Sequence, residues 1–212
     1  MIAIEGLTKR FDRRPALDGL TMRIADGDRI ALIGSNGAGK TTLFRCLLGH
    51  YRYEGRIERN GTRRAITPEH YQQVMEKART EDAGLAAALE IARLMGLRSQ
   101  EAVQSSQSLK TWLKAIERGE NRLKVVFGTK GGRPRYTTVL DTGAVRKALE
   151  KSLLVADRHN GRLIDKPDLK MALESWHKQV IKVGLKGEFS PHSLRYAWAQ
   201  DAIRYYEEQG LN

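Results

Sequence analysis

The chain has 212 residues, of which 41% are hydrophobic, and a formal net charge of +12 at pH 7. This hydrophobic content supports a packed core and argues against general disorder, while the positive charge favours a polyanionic partner such as nucleic acid. Cys46 is the single cysteine, which excludes an internal disulfide. The sequence has no apolar run of about 18 residues and no N-terminal signal pattern. It therefore predicts a cytoplasmic protein that does not enter a membrane by itself.

The first third of the chain is patterned like an α/β protein. The stretches MIAIEGL and LTMRI predict short strands, followed by a turn at 26–28 and by RIALIG as a buried strand. A Gly-rich loop then leads into a helix predicted from Lys40 to about Leu48. GRIERNG predicts a further short strand that ends on an Asn60–Gly61 turn.

The Gly-rich loop has the spacing of a phosphate-binding P-loop. Its glycines let successive backbone N–H groups face a phosphate, Lys40 supplies a charge for the terminal phosphates, and the Thr41 hydroxyl suits Mg²⁺ bound with the nucleotide. The alternative is a Gly-rich turn between strand and helix without a ligand. The candidate nucleotide-binding residues are Gly34, Ser35, Asn36, Gly37, Ala38, Gly39, Lys40, Thr41 and Thr42.

The residues around the loop resemble the start of an ABC-transporter ATPase. The resemblance rests on IAIEGLTKRF, on ALDGLTMRIADGDRIALIGSNGAGKTTLFRCLLG and on GRIERNG. It implies that Phe11 stacks on adenine, although an ordinary core aromatic is an equal alternative. The family's signature motif is absent, and LLVAD at 153–157 has helical spacing and is followed by Arg158 rather than by a catalytic Glu. We therefore expect a site that binds ATP and Mg²⁺ but does not hydrolyse ATP.

The pattern changes near residue 62. From Thr67-Pro68, which predicts a helix N-cap and first position, the chain is mostly amphipathic helix, interrupted by a hairpin pattern, RLKVVFGTKGGRPRYTTVL. Residues 1–62 contain 11 basic and 7 acidic residues, a net charge of +4, and residues 63–212 contain 26 and 18, a net charge of +8. The predicted domains are thus 1–62 and 63–212, and because both are basic, charge does not assign the function to either.

Three short segments of the second part suit one chemistry. GLRSQEA places Arg98 and Glu101 one helical turn apart, GTKGGRPR places Lys130 at a hairpin tip, and SPHSLRYAWAQ places His192 and Arg195 on one helix face. Arginine forks bind phosphate oxygens bidentately, histidine donates a hydrogen bond or moves a proton, and a lysine can protonate a departing sugar oxygen. Each segment alone has a plain alternative as a surface ion pair or a solvated charge.

Taken together, these segments resemble the catalytic domain of tyrosine recombinases, the phage-type integrases. The resemblance covers about residues 64–212, in which ITPEHYQQVMEKA corresponds to the family's first catalytic-domain helix. It implies that Arg98 and Arg195 clamp the scissile phosphate and that Lys130 is the general acid. His192 would support phosphate binding and proton transfer, and Glu101 would hold Arg98 in place without contacting the phosphate.

Two departures from the family pattern affect the predicted activity. The family's nucleophilic tyrosine lies beyond the HxLR helix, whereas Tyr205 and Tyr206 fall on that same helix, roughly 15 Å from Arg195 at about 1.5 Å per residue. We expect both tyrosines to be core residues, with Ser190 capping the helix and Gly210 ending it. The helical domain that usually precedes the catalytic domain is replaced by the P-loop fragment. We therefore expect a chain in which a P-loop fragment is joined to a recombinase-like domain, and in which that domain is truncated before its nucleophile.

The predicted fold class is α/β, a P-loop fragment of strands plus one helix followed by a mostly helical, recombinase-like domain with one small β-hairpin. The predicted function is binding of double-stranded DNA at a phosphodiester-clamping site that needs no cofactor, with strand cleavage and rejoining lost in this chain. An ATP-binding module of ABC type and a non-catalytic fusion remain alternatives. A nucleotide is a second candidate partner, and assembly as an oligomer on DNA is left open.

Overall fold

The computed structural model describes residues 2–25, 28–59 and 64–210. Residue contacts divide the chain into two compact units, Met1–Thr62 and Arg63–Asn212, and both α-helices and small β-sheets are present. Residues 26 and 27 of the turn predicted at 26–28, and the turn predicted at Asn60–Gly61, lie outside the described residues. The mixed α/β class is therefore confirmed.

The first unit contains an antiparallel sheet and one helix. Strand β1 (Ile2–Phe11) lies between β2 (Arg14–Ile24) and β3 (Glu54–Arg59), with Ile4 opposite Met22 on one side and Ile57 on the other. Helix α1 spans Lys40–Leu47, as the sequence predicts. Its apolar positions meet those of β1 in a small buried cluster of Ile4, Leu7, Leu43 and Cys46.

The buried strand predicted for RIALIG does not form. Residues 28–35 have no regular secondary structure in this unit, and the Ile33 side chain is 91% exposed. An apolar strand is stable only when neighbouring strands satisfy its backbone and cover its side chains. Within the described residues, β1 already has a partner on each side and the sheet does not extend to this segment. The sequence pattern was sufficient to suggest a strand but not to supply its partners.

The second unit is a helical domain with one hairpin. Its helices are α2 (Pro68–Glu81), α3 (Ala83–Met95), α4 (Ser99–Val103), α5 (Leu109–Glu117), α6 (Thr142–Arg158), α7 (Leu169–Lys182) and α8 (His192–Glu208). The hairpin consists of β4 (Arg122–Val125) and β5 (Arg135–Thr138), paired antiparallel with Leu123 opposite Thr137. The predicted hairpin is confirmed by this pairing. The predicted start of α2 is confirmed as well, since the Thr67 side chain accepts a hydrogen bond from the His70 N–H at 3.2 Å.

Helix α3 is at the centre of the second unit. It is apolar on nearly all sides because it packs against α2, α6 and α8, and its side chains, including Leu85 and Leu89, are buried. The Trp112 indole N–H donates to the Lys124 carbonyl at 2.8 Å, which ties α5 to the hairpin. This packing fixes the ends of α3, α4 and β5, where the candidate site lies.

The structure settles how LLVAD at 153–157 is used. These residues lie within α6, in register with the buried Val145 and Leu149, as their helical spacing indicates. They are therefore not a strand carrying a metal-binding carboxylate. None of the described helices is long and apolar enough to cross a membrane.

Two predictions about helix α8 are wrong in detail. Ser190 does not cap it, because the Ser190 hydroxyl is buried without a hydrogen-bond partner among the described residues and only its carbonyl accepts, from the Ser193 N–H at 2.7 Å. Tyr206 is not a core residue: it is 37% exposed, and Tyr205 is half-buried. Ala202 is the last buried residue of α8, so the final turns extend past the packed part of the unit. The predicted end at Gly210, which has a positive φ of 69°, is confirmed.

Candidate functional site

Arg98 and Glu101 meet at the start of α4. Arg98 is the residue before the helix, and its backbone N–H donates to Glu101 Oε2 at 2.8 Å. The Arg98 guanidinium also donates, through NH1, to Glu101 Oε1 at 2.9 Å. The GLRxxE spacing thus folds into a turn in which a buried carboxylate holds an arginine that is 35% exposed.

Arg135 binds the same carboxylate from the hairpin. Its Nε donates to Glu101 Oε1 at 2.9 Å and its NH2 to Oε2 at 2.6 Å, a two-pronged contact of the kind guanidinium groups form with carboxylates. The Glu101 side chain is fully buried and that of Arg135 is 19% exposed. Strand β5 is therefore tied to α4 by a buried ion pair.

The carbonyl of Gly96 joins Arg195 to this group. Arg135 NH2 donates to it at 3.1 Å and Arg195 NH1 donates to it as well. Gly96 ends α3 with a left-handed φ of 58°, and a Cβ atom at this position would lie 2.5 Å from the Trp198 ring. A glycine is needed here for both reasons, and it allows α8 to approach closely enough for Arg195 to reach the site.

The site carries an excess of positive charge. The guanidinium groups of Arg98 and Arg135 bind one carboxylate, Glu101, and that of Arg195 lies beside them on the Gly96 carbonyl. Burial alone would raise the pKa of Glu101, but the hydrogen bonds from Arg135 and Arg98 outweigh it and hold that pKa below its usual range. Burial, then the charges of Arg135 and Arg98, lower the pKa of Arg195. A bound anion would relieve this repulsion, so the arrangement suits a phosphate.

Lys130 and His192 lie on the elements that flank this group. Lys130 is exposed on the turn of the β4–β5 hairpin, two residues beyond Gly128, where an added Cβ would lie 2.4 Å from the Gln100 carbonyl of α4. The hairpin therefore touches α4 just before its lysine. His192 is half-buried in the first turn of α8, three residues before Arg195. Arg98 and Glu101 are hydrogen-bonded to each other, and Arg195 joins them through the Gly96 carbonyl that it shares with Arg135. Lys130 follows the point where the hairpin touches α4, and His192 lies one helical turn before Arg195.

Sequence reasoning missed the parts played by Arg135 and Gly96. The signal for Arg135 was present, because it is the last residue of GTKGGRPR, but its partner lies 34 residues away in sequence. Gly96 precedes the LR of GLR, and what sets its importance is its contact with Trp198. Both roles depend on long-range packing.

The Gly-rich loop of the first unit has two left-handed glycines, but the described residues directly before it form no strand. Gly37 and Gly39 have positive φ values of 89° and 84°, and a Cβ on Gly39 would lie 2.3 Å from the Ala16 carbonyl. The Lys40 ammonium donates to the carbonyls of Gly34 and Ser35 at 2.6 and 2.7 Å. The Lys40 side chain is thus bound to two carbonyls of its own loop.

The remaining P-loop candidates are open to solvent. Those exposed or half-buried around the loop are Gly34, Ser35, Asn36, Gly37, Ala38, Thr41 and Thr42. Phe11 is 43% exposed, so its reading as a core aromatic is wrong, and it packs edge-on against Tyr51 at 5.3 Å between ring centroids. Among the described residues, no group of three or more His, Cys, Asp or Glu could hold a metal ion.

Comparison with known proteins identifies the family. The family model described as "Integrase" matches residues 54–201, a range that contains Arg98, Glu101, Lys130, Arg135, His192 and Arg195. The chain therefore belongs to the integrase family. No solved structure is significantly similar to it.

The chain is also similar to ATP-binding proteins. Uup of Caulobacter vibrioides is 44% identical over 62 residues, which is 29% of this chain and 10% of Uup. The sulfate/thiosulfate import ATP-binding protein CysA 1 of Agrobacterium fabrum is 48% identical over 48 residues, 23% of this chain and 14% of that protein. The aliphatic sulfonates import ATP-binding protein SsuB 1 of Paracoccus denitrificans is 30% identical over 171 residues, 80% of this chain and 64% of that protein.

These relatives are covered only in part, since the chain spans less than two thirds of the length of each. The alignment with SsuB 1 is longer than the first unit and must overlap the range matched by the integrase model. The short alignments have the higher identities. The sequence is thus consistent with a chain that joins an integrase-like part to an ABC ATPase-like part.

Proposed function

We propose that the second unit binds double-stranded DNA and clamps one backbone phosphate between Arg98 and Arg195. Arg98 and Arg195 bind the non-bridging oxygens, and His192, one turn before Arg195, supports the phosphate. Lys130, on the hairpin, would be the general acid for the departing 5′ oxygen if the strand were cleaved. The resemblance to tyrosine recombinases implies that such a clamp serves cleavage and rejoining of DNA strands by transfer of the phosphate to a tyrosine; for this chain we propose the DNA-binding part of that activity.

The observation that carries this proposal is the arrangement of three arginines around one buried carboxylate. Glu101 neutralises one of the three positive charges, which leaves a local excess that an anion can balance. The charge lies on the ends of three separate elements (α4, β5 and α8), so the fold holds the guanidinium groups before DNA binds. Such preorganisation reduces the entropic cost of forming a charged clamp.

Tyr205 and Tyr206 do not supply the nucleophile in this proposal. Tyr205 and Tyr206 lie on the same unbroken helix as Arg195, so they stand about 15 Å or more along the helix from it. The Tyr206 hydroxyl is also engaged by the Thr138 hydroxyl at 2.6 Å. We therefore propose that this chain binds and clamps DNA and that neither of these two tyrosines forms a covalent bond to it.

The clamp is tested by measuring the affinity for a labelled DNA duplex by fluorescence anisotropy. Because a lost hydrogen bond to a charged group costs about 1.5–3 kcal/mol, Arg98→Ala and Arg195→Ala should each weaken binding by about tenfold or more. The matched control is Arg118→Ala, which removes the same charge from an exposed pair with Glu120. Equal affinity in all three variants would contradict the clamp.

The expectation about covalent chemistry is tested with a nicked suicide substrate and denaturing electrophoresis. The unmutated chain should give no DNA-linked band. A band that disappears in Tyr206→Phe or Tyr205→Phe would show that one of these tyrosines reaches the phosphate, and would require α8 to unwind.

A second candidate function is nucleotide binding by the first unit. Two observations favour it: the left-handed glycines of the loop, with Lys40 at its centre, and the similarity to ATP-binding proteins. Lys40 would leave its two loop carbonyls to contact the terminal phosphates, and the Thr41 hydroxyl would be a ligand of a Mg²⁺ ion bound with them. Because the described residues place LLVAD in a helix, we propose binding without hydrolysis.

Nucleotide binding is tested with a fluorescent ATP analogue in the presence of Mg²⁺. Lys40→Ala should abolish binding, whereas Arg23→Ala, an exposed charge on β2, should leave it unchanged. Duplex DNA affinity serves as the reference for correct folding of the second unit. A robust ATPase rate that depends on Lys40 would contradict the expectation of binding without hydrolysis.

A further inference from the structure

The carboxylate of Glu101 has all of its acceptor positions in use. Oε1 accepts from Arg98 NH1 and Arg135 Nε, both at 2.9 Å. Oε2 accepts from the Arg98 backbone N–H at 2.8 Å and from Arg135 NH2 at 2.6 Å. A carboxylate offers about four such positions, so Arg98 and Arg135 together occupy all the acceptor positions of Glu101.

The division between the two guanidinium groups is unequal. Arg135 presents two nitrogens to Glu101, one to each oxygen, whereas Arg98 presents only NH1. Arg98 is also the more exposed of the two side chains, at 35% against 19% for Arg135. The arginine that makes the weaker contact with the carboxylate is therefore the one that faces solvent.

We propose that Arg135 is a positioning residue of the DNA-phosphate site: by making the two-pronged contact with Glu101 it prevents the Arg98 guanidinium from making that contact itself. This inference rests on the proposed function of Arg98 and Arg195. Arg135 also shares the Gly96 carbonyl with Arg195, so the same side chain contacts a hydrogen-bond partner of each clamp arginine. Because Arg135 belongs to β5, its contact with Glu101 also holds the hairpin that carries Lys130 in position beside Arg98.

The physical reason lies in the burial of Glu101. An ionised carboxylate inside a protein is stable only when it is paired. If Arg135 were removed, the nearest guanidinium would be that of Arg98, which would gain by turning to make the two-pronged contact itself. Arg98 would then be held by protein rather than by DNA. A lysine at position 135 would keep the charge but could not form the fork, so Arg98 would still be drawn inward.

The test is a double-mutant cycle read out as affinity for a labelled DNA duplex. Arg135→Met, which keeps the apolar stem, should weaken binding by about tenfold, similar to Arg98→Ala. The two changes should not add: once Arg135 is gone, Arg98→Ala should cause little further loss. Arg133→Met, two residues away on the exposed hairpin turn, is the charge-matched control, and its effect should add to that of Arg98→Ala.

A second arm separates positioning from general support of the structure. Glu101→Gln removes the charge that draws Arg98 inward, so it should partly restore binding in the Arg135→Met chain. If Arg135 only stabilised the unit, Glu101→Gln would not rescue binding and the double variant would bind no better than Arg135→Met alone. Arg135→Lys is carried through the same cycle in case Arg135→Met does not fold.

The outcomes distinguish this inference from the function on which it rests. If Arg98→Ala leaves DNA affinity unchanged in the parent chain, the proposed clamp fails. If Arg98→Ala weakens binding but adds fully to Arg135→Met, with no rescue by Glu101→Gln, the clamp stands and the positioning role of Arg135 is overturned. An Arg135→Lys chain that does not fold would also overturn it, because Arg135 would then be a folding residue.

Discussion

In the first unit the buried cluster consists of Ile4, Leu7, Leu43 and Cys46, whereas in the second unit it runs through all the helices from α2 to α8 and into the hairpin. Both units carry a motif that is easily recognised in sequence. The P-loop has its glycines and its lysine but not its strand, while the arginine site has every element that holds it. A recognisable motif therefore shows ancestry, and the core around it decides whether its geometry is maintained.

The difference also shows where each motif obtains its support. In the P-loop, Lys40 is held by two carbonyls five and six residues away in sequence. In the arginine site, contacts link residues separated by 34, 39 and 99 positions. Local contacts can form in a fragment, but a site built from distant elements requires the whole domain to fold.

The largest expected effect comes from a core substitution that should act on one unit alone. Leu89→Ala should lower the free energy of unfolding of the second unit by about 2–5 kcal/mol, because it leaves a cavity in a packed core. Tryptophan fluorescence during denaturant unfolding measures this unit, since Trp112, Trp176 and Trp198 all belong to it. Leu7→Ala, the same change at an equally buried site of the first unit, should shift that transition by less than about 0.5 kcal/mol. Equal shifts would mean that the two units unfold together.

Hydrogen exchange should show the same contrast without any mutation. Amides of α3 should exchange only when the second unit opens as a whole, while those of β1 should exchange through a smaller opening of the first unit. We expect exchange in β1 to be faster by about tenfold or more. The measurement is mass spectrometry of peptides from 2–11 and 83–95. Equal protection would indicate a shared core.

A pH titration should identify the stabilising contribution of Glu101. Its pKa in the folded protein lies below its usual range, so the group stabilises the second unit above the pKa of the unfolded chain. That contribution is lost as the pH falls through the lower, folded pKa. Stability measured by tryptophan fluorescence should therefore fall in acid, and Glu101→Gln should flatten this part of the curve. Glu120→Gln, on an exposed pair, should leave the curve as it is in the parent chain.

The smallest effect is expected where the sequence pattern suggested the largest. Ile33→Lys should change the stability of the first unit by less than about 0.5 kcal/mol, because this side chain is almost fully exposed. Hydrogen exchange of β1 and α1 peptides provides the measurement. A loss of several kcal/mol would show that RIALIG is packed as a buried strand and would remove the main difference between the two units.

Several features could be predicted from the sequence alone because they depend on neighbours in the chain. The start of α2 follows from Thr67-Pro68, the helical spacing of LLVAD places it in α6, and the Gly-rich turn of the hairpin exposes Lys130. The choice of Arg98, Glu101 and Arg195 as candidates came from short motifs together with a resemblance to integrases. Each of these interpretations rests on a pattern only a few residues long, which periodicity and turn chemistry encode.

Only the tertiary structure decided which of these residues meet and which apolar segments are covered. The exposure of RIALIG depends on strands that would have to pair with it, and the exposure of Tyr206 depends on how far the helical domain extends along α8. The fork of Arg135 on Glu101 and the carbonyl of Gly96 shared by Arg135 and Arg195 join segments far apart in the chain. Side-chain pairing across such distances follows from how helices and strands pack against one another, and a linear pattern of residue types does not contain that information.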